Sequence, residues 1–179
     1  MNNYRELVER LAKSNSSEKI PNATIDHAAV LIENLFAHAH EKVRILSGQL
    51  NKNVYGASGV FEKARAFLRG EHEASKEGGR RFEILLEAPS SDIGENPLVR
   101  LCREETEFSN ICEVKYISDP NDKEINCHFI LVDGKAWRFE PDKETPAAIA
   151  CFNDPEIGKQ LDEMFDVLFK RGVLLESRG

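Results

Sequence analysis

The chain has 179 residues, 41% of them hydrophobic and 31% charged, enough for a single domain with a buried core that needs no staples. Its net charge of −7 excludes a generally basic surface, and with it indiscriminate binding to nucleic-acid phosphates; Arg80-Arg81 is a small local basic patch. The start, MNNYRELVER, is charged and amphipathic, unlike a signal peptide, and no apolar run approaches the ~20 residues of a membrane-spanning helix.

In chain order, residues 2–13 carry Tyr4, Leu7, Val8 and Leu11 at helical spacing. The polar stretch SNSSEK follows, of the kind that connects without packing, so residues 1–21 read as a helical arm and linker that docks on the domain or on a partner subunit. A second helix opens at Asn22 or Thr24, both suitable N-caps, with Ile25, Ala28, Ala29, Ile32, Leu35, Phe36 and Ala39 on one stripe. Val43–Leu46 is a short strand stopped by Ser47-Gly48. Asn51–Ser58 reads as a loop, and the next helix carries Val60, Phe61, Ala64, Phe67 and Leu68. The charged segment Glu71–Gly79 reads as a surface loop and Phe82–Leu86 as a strand. After the loop Pro89–Glu95, Asn96-Pro97 starts a helix with proline in its first turn. Cys112–Ile117 is a strand, Asp119-Pro120-Asn121-Asp122 a turn, and Ala147–Phe152 a later strand. Asn153-Asp154-Pro155-Glu156 combines cap, proline and first-turn acid, and opens a helix with Ile157, Leu161, Met164, Phe165 and Leu168 on its core face.

Between these lies NCHFILVDGKAWRFE, residues 126–140, which reads as a β-hairpin turning at Asp133-Gly134. A two-residue loop there sets Val132 opposite Lys135, Ile130 opposite Trp137 and His128 opposite Phe139. Alternation then places Asn126, His128, Ile130, Trp137 and Phe139 on one face, and Cys127, Phe129, Leu131, Arg138 and Glu140 on the other. Both faces are mainly apolar, so the hairpin is expected inside a sheet covered on both sides. The whole order, with helices alternating with strands and then strands in succession, predicts an α/β fold: a mixed sheet flanked by helices on both faces.

Few residues outside the hairpin suggest chemistry. Cys102, Cys112, Cys127 and Cys151 include no Cys-x-x-Cys pair and read as reduced thiols of a cytoplasmic protein. His38 and His40 point about 200° apart on a helix and would not converge on a metal. Gly56-Ala-Ser-Gly59 before a helix offers a weak anion cradle without P-loop or dinucleotide spacing, and Gly78-Gly79-Arg80-Arg81 is a turn with flanking charge. Arg138 and Glu140 fit an ion pair, Lys135 a solvated turn residue and Trp137 a core residue. Nothing calls for a metal or a cofactor.

With this order of elements, NCHFILVD resembles the motif region of the phospholipase D-like superfamily, whose half-domains share the alternating architecture. Their signature is His-x-Lys, four residues, then Asp. Laid on it, Asn126 takes the His position, His128 the Lys position and Asp133 the Asp position. The ending AIACFNDPEIGKQLDEMFDVLF is similar to the segment that follows the motif. The resemblance implies a phospholipase D-like half-domain over residues 22–179. In active members the His forms a phosphoryl intermediate and the Lys holds phosphate oxygens. An asparagine amide is not a nucleophile, so the resemblance implies a degenerate member that binds rather than cuts. Its candidate site residues are Asn126, His128 and Asp133, with His128, Lys135, Arg138 and Glu140 as ligand-binding candidates. A single half-domain further implies a homodimer, with a phosphate-containing ligand or a protein partner in the former active-site groove. The alternative is a divergent phosphodiesterase or nuclease using His128 across the dimer interface.

Overall fold

A computed structural model describes residues 2–71, 79–119, 121–122, 125–143, 145 and 147–175. Most of the charged loop read at Glu71–Gly79, and Pro120 of the turn before the hairpin, lie outside the described residues. Strands β1 (Ile20–Asn22), β2 (Lys42–Ser47), β3 (Arg81–Leu86), β4 (Cys112–Tyr116), β5 (His128–Val132), β6 (Ala136–Glu140), β7 (Ala148–Cys151) and β8 (Val173–Leu174) form one sheet in the order β1-β7-β6-β5-β2-β3-β4-β8. Only β2–β3 and β3–β4 pair in parallel. The mixed α/β sheet expected from the sequence is therefore the observed fold. Its two edge strands, β1 and β8, are too short to carry a sequence signal of their own.

Each face is closed by helices whose stripes were visible in the sequence. One face carries α1 (Asn2–Lys13), α2 (Ile25–Ala37), α4 (Ser58–Arg69) and α5 (Pro97–Glu104), and the core beneath includes Val8, Phe36, Phe67, Ile45 and Ile84. Thr24 caps α2 by accepting from the His27 N–H, and Asn96 caps α5 by accepting from that of Leu98. The segment read as a loop after β2 contains a short helix, α3 (Lys52–Tyr55), capped by Asn51. Val8, Leu11 and Ala12 are buried in this core, so α1 packs in cis. The SNSSEK stretch does make contacts: the Lys19 ammonium lies 4.4 Å over the Trp137 ring and pairs with Asp154. The opposite face is covered by α6 (Pro155–Arg171), which sets Leu161, Phe165, Leu168 and Phe169 on Leu46, Leu85, Phe129, Leu131 and Trp137. Buried Arg44 of β2 fixes α6 from below, pairing with Glu83 at 2.7 Å, Asp162 at 2.9 Å and Asp166 at 2.6 Å.

The hairpin differs from its expected register by one residue. The loop is Asp133-Gly134-Lys135, and Val132 pairs with Ala136, Ile130 with Arg138 and His128 with Glu140. Asp133 and Gly134 both take the left-handed conformation, φ 50° and 67°, as the Asp-Gly signal requires, and the Lys135 N–H closes the turn on the Val132 carbonyl at 3.1 Å. Lys135 is the extra residue. Its carbonyl accepts from the N–H of Asp154, the α6 cap, at 2.8 Å. The slip reverses every side chain of β6 relative to β5. Trp137 and Phe139 join Phe129 and Leu131 under α6, whereas Arg138 and Glu140 join His128 and Ile130 on the α2 face.

Gly158 of α6 lets the turn approach this closely. A Cβ there would lie 2.1 Å from the Gly134 carbonyl oxygen and 2.6 Å from its carbon, both backbone atoms that cannot swing aside. Gly158→Ala is expected to destabilise the fold by about 3 kcal/mol, read as a lowered urea midpoint with an unchanged slope.

Candidate functional site

Parallel strands β2 and β3 end at the same edge of the sheet where β5 begins and β6 finishes, and a cleft of ≈ 430 Å³ opens there. Clefts outside the carboxyl ends of parallel strands are the usual ligand sites of open α/β sheets. The polar floor comes from Ser47 and Gly48 after β2, His128 of β5, Arg138 and Glu140 of β6, and Lys143 beyond it. Ile25, Ala28 and Ile32 of α2 and Val54 and Tyr55 of α3 form an apolar wall opposite.

A continuous charge network runs along the floor. Arg138 is buried and donates from Nε to Asn22 Oδ1 at 2.9 Å and from Nη1 to Glu140 Oε1 at 2.6 Å. Glu140 Oε2 lies 3.5 Å from His128 Nδ1, and His128 Nε2 lies 3.3 Å from Glu87 Oε2. Glu87 Oε1 in turn accepts from the Lys143 ammonium, which also donates to the Ile125 carbonyl at 3.2 Å. Burial alone would raise the Glu140 carboxyl. The His128 hydrogen bond and the adjacent Arg138 charge outweigh it and hold its pKa below the ordinary glutamate value. The backbone allows His128 its position because residue 48 is glycine: a Cβ there would sit 3.3 Å from His128 Cε1.

The candidates from the sequence divide into two groups. His128, Arg138 and Glu140 meet in the cleft, brought together by the three-residue hairpin loop. Asn126 precedes β5, with an exposed side chain, and its carbonyl accepts from the Lys143 N–H at 3.2 Å. Asp133 and Lys135 sit at the far end of the hairpin, on the order of 16 Å of strand away from His128. The Asp133 carboxylate accepts the backbone N–H groups of His40, Glu41 and Lys42, at 2.9, 2.9 and 2.8 Å. It is a structural anchor. The Gly56–Gly59 cradle is already filled: Glu33 points its carboxylate at Gly59, 2.6 Å from where a Cβ would lie, while Arg5 holds both its oxygens at 3.1 Å. His38 caps α2 and its Nδ1 lies 2.9 Å from the Asn34 carbonyl.

Sequence reasoning missed Glu87, Lys143, Tyr55 and Gly48. The end of a parallel strand is a recognised position for functional groups, and Glu87, directly after β3, could have been found that way. Lys143, in a polar loop, carries no such signal.

Helices on both faces of this mixed sheet, with the cleft at the strand ends, form an architecture shared with solved phospholipase D family structures. The phospholipase D family member Nuc from Salmonella typhimurium superposes with a TM-score of 0.60 over 89% of this chain and 99% of its own, at 12% identity. NucT from Helicobacter pylori gives 0.60 over 88% and 99%, at 11% identity. Phosphatidylserine synthase from Haemophilus influenzae gives 0.56 over 88% of this chain and 39% of its own, at 15% identity. At these identities the likeness is one of fold. Within that fold the chain belongs to the family described as Domain of unknown function (DUF7931), whose profile matches residues 24–176. No curated protein matches the sequence.

A carboxylate with a depressed folded-state pKa contributes stability above its unfolded pKa and loses it as pH falls through the folded value. Glu140→Gln should therefore flatten the acid side of the stability profile, costing most at neutral pH and little where wild-type Glu140 is already protonated. Urea midpoints measured between about pH 7 and about pH 3 check this; a constant offset at every pH would refute it.

Proposed function

We propose that the domain is a catalytically degenerate phospholipase D-like module that binds an anionic, phosphate-containing ligand in the cleft and does not hydrolyse it. The observation that carries the reading is the position of His128 between Glu87 and Glu140. A carboxylate only accepts, so a ring nitrogen that hydrogen-bonds to either one does so as a donor and has no lone pair to offer phosphorus. If one nitrogen is deprotonated, its lone pair still faces a carboxylate, which repels an incoming phosphodiester. Asn126 supplies no substitute nucleophile.

Binding is a different matter. Arg138 and Lys143 set two positive charges against the two negative ones of Glu87 and Glu140, and the His128 ring adds an N–H donor between the carboxylates. Both cations sit in a half-enclosed setting, where their attraction for an anion counts for more than on an open surface. The N-terminus of α2, at Thr24 and Ile25, lines the same cleft with the positive end of its dipole. The homodimer implied by a single half-domain belongs to this proposal, and light scattering should give a mass near twice the chain's 20.2 kDa.

Purified wild type, His128→Ala and Asn126→His should all fail to turn over a chromogenic phosphodiester or single-stranded DNA. Inorganic phosphate should raise the melting temperature of the wild type. Lys143→Gln should weaken that binding by roughly 5- to 10-fold, the worth of one charge-assisted hydrogen bond. Hydrolysis by the wild type that disappears in His128→Ala would overturn the proposal and make His128 a nucleophile.

A further inference from the structure

The floor of the cleft explains why an anion would bind, but not the shape of the rest of the site. Three features remain. First, ≈ 430 Å³ is far more than a phosphate group fills and lies within the ~300–1,000 Å³ of small-molecule sites. Second, the wall opposite the charges is apolar: Ile25, Ala28, Ile32 and Val54 face the cleft, and Ile25 at its lip is 41% exposed. Third, Tyr55 lines the cleft at only 7% exposure, and its hydroxyl makes no hydrogen bond to any described residue. The hydroxyl keeps some surface open to the cleft, where a polar atom of a bound ligand can pair with it. Burial, assisted by the Glu140 charge and opposed by that of Arg138, pushes the Tyr55 phenol well above its ordinary range, so it enters the cleft as a neutral O–H.

The charge count limits the ligand further. Two cations share the floor with two carboxylates, and Glu87 and Glu140 would repel a ligand of high negative charge. A polyanion such as a nucleic-acid strand is poorly matched to it, in keeping with the chain's net charge of −7.

We propose that the cleft is the binding site of a small organic monophosphate, its phosphate among His128, Arg138 and Lys143, its apolar body on Ile25, Ala28, Ile32 and Val54, and a polar atom of that body on the Tyr55 hydroxyl. This rests on the anion-binding reading above and adds to it the organic body and the role of Tyr55. The body is that of a nucleoside or of a lipid-like alcohol; both present one phosphate on a largely apolar frame.

The test is calorimetric titration of the full chain with inorganic phosphate, a nucleoside monophosphate, a short-chain alkyl phosphate and a single-stranded oligonucleotide. One of the two organic monophosphates should bind ~10-fold tighter than inorganic phosphate, the gain expected from burying part of its body, and which one does so names the source. Ile25→Ser, at an exposed position that leaves the fold intact, should erase this gain and spare inorganic phosphate. Tyr55→Phe, with an unchanged melting temperature, should weaken the preferred organic monophosphate by ~5-fold, as for loss of one buried hydrogen bond. Equal affinity for organic and inorganic phosphate would overturn the inference and leave the anion-binding reading standing. No binding by any of the phosphates would remove both. Tightest binding by the oligonucleotide, or a Tyr55→Phe variant indistinguishable from wild type, would also overturn the inference.

Discussion

The Asp133 carboxylate holds the backbone N–H groups of residues 40–42 together with the hairpin turn, and the rest of the site depends on that junction. It fixes where β2 begins relative to β5, and so which residues of the two strands stand opposite each other. Lys135, one residue past the turn's centre, ties the same hairpin to the start of α6. Between them these contacts select a three-residue loop over a two-residue one. Only in that register do Arg138 and Glu140 share a face with His128. A charge network at one end of the hairpin is therefore set by hydrogen bonds at the other.

The network is better understood as a device of specificity than of stability. Burying Arg138 and half-burying Glu140, His128, Glu87 and Lys143 costs desolvation that their mutual attraction recovers only while every partner is present. Strands β5 and β6 are apolar enough on both faces to tolerate a slipped pairing. The chain of Asn22, Arg138, Glu140, His128 and Glu87 penalises one, because a slip would leave charges of both signs under α6.

Much of the fold was legible in the sequence. The α6 start at Asp154-Pro155, the α5 start at Asn96-Pro97 and the apolar stripes of α1, α2 and α4 are local signals, and local physics decides them. The strands β1 and β8 were not legible, because with three and two residues they exist only through pairing with β7 and β4. The hairpin loop was half legible. Asp-Gly announced two residues of positive φ but not the extra Lys135, whose place is decided by α6, a segment nearly twenty residues further on. For the candidate site, His128, Arg138 and Glu140 could be named because they lie in one short stretch. Glu87 reaches them across a sequence separation of 41 residues, which no periodicity records.

The division of the core into two unequal faces bears on how the protein is made. Helices α1 to α5 lie on one side of the sheet and are interleaved with its strands, so that side can assemble piece by piece as the chain emerges. The other side is closed by α6 alone, which follows all strands except β8 in the sequence. Until that helix has left the ribosome, Leu46, Leu85, Phe129, Leu131 and Trp137 form an open apolar sheet surface with the buried Arg44 still short of its α6 partners. A chain that still lacks α6 therefore leaves this β-surface uncovered, the kind of surface on which chaperones act and from which aggregation starts.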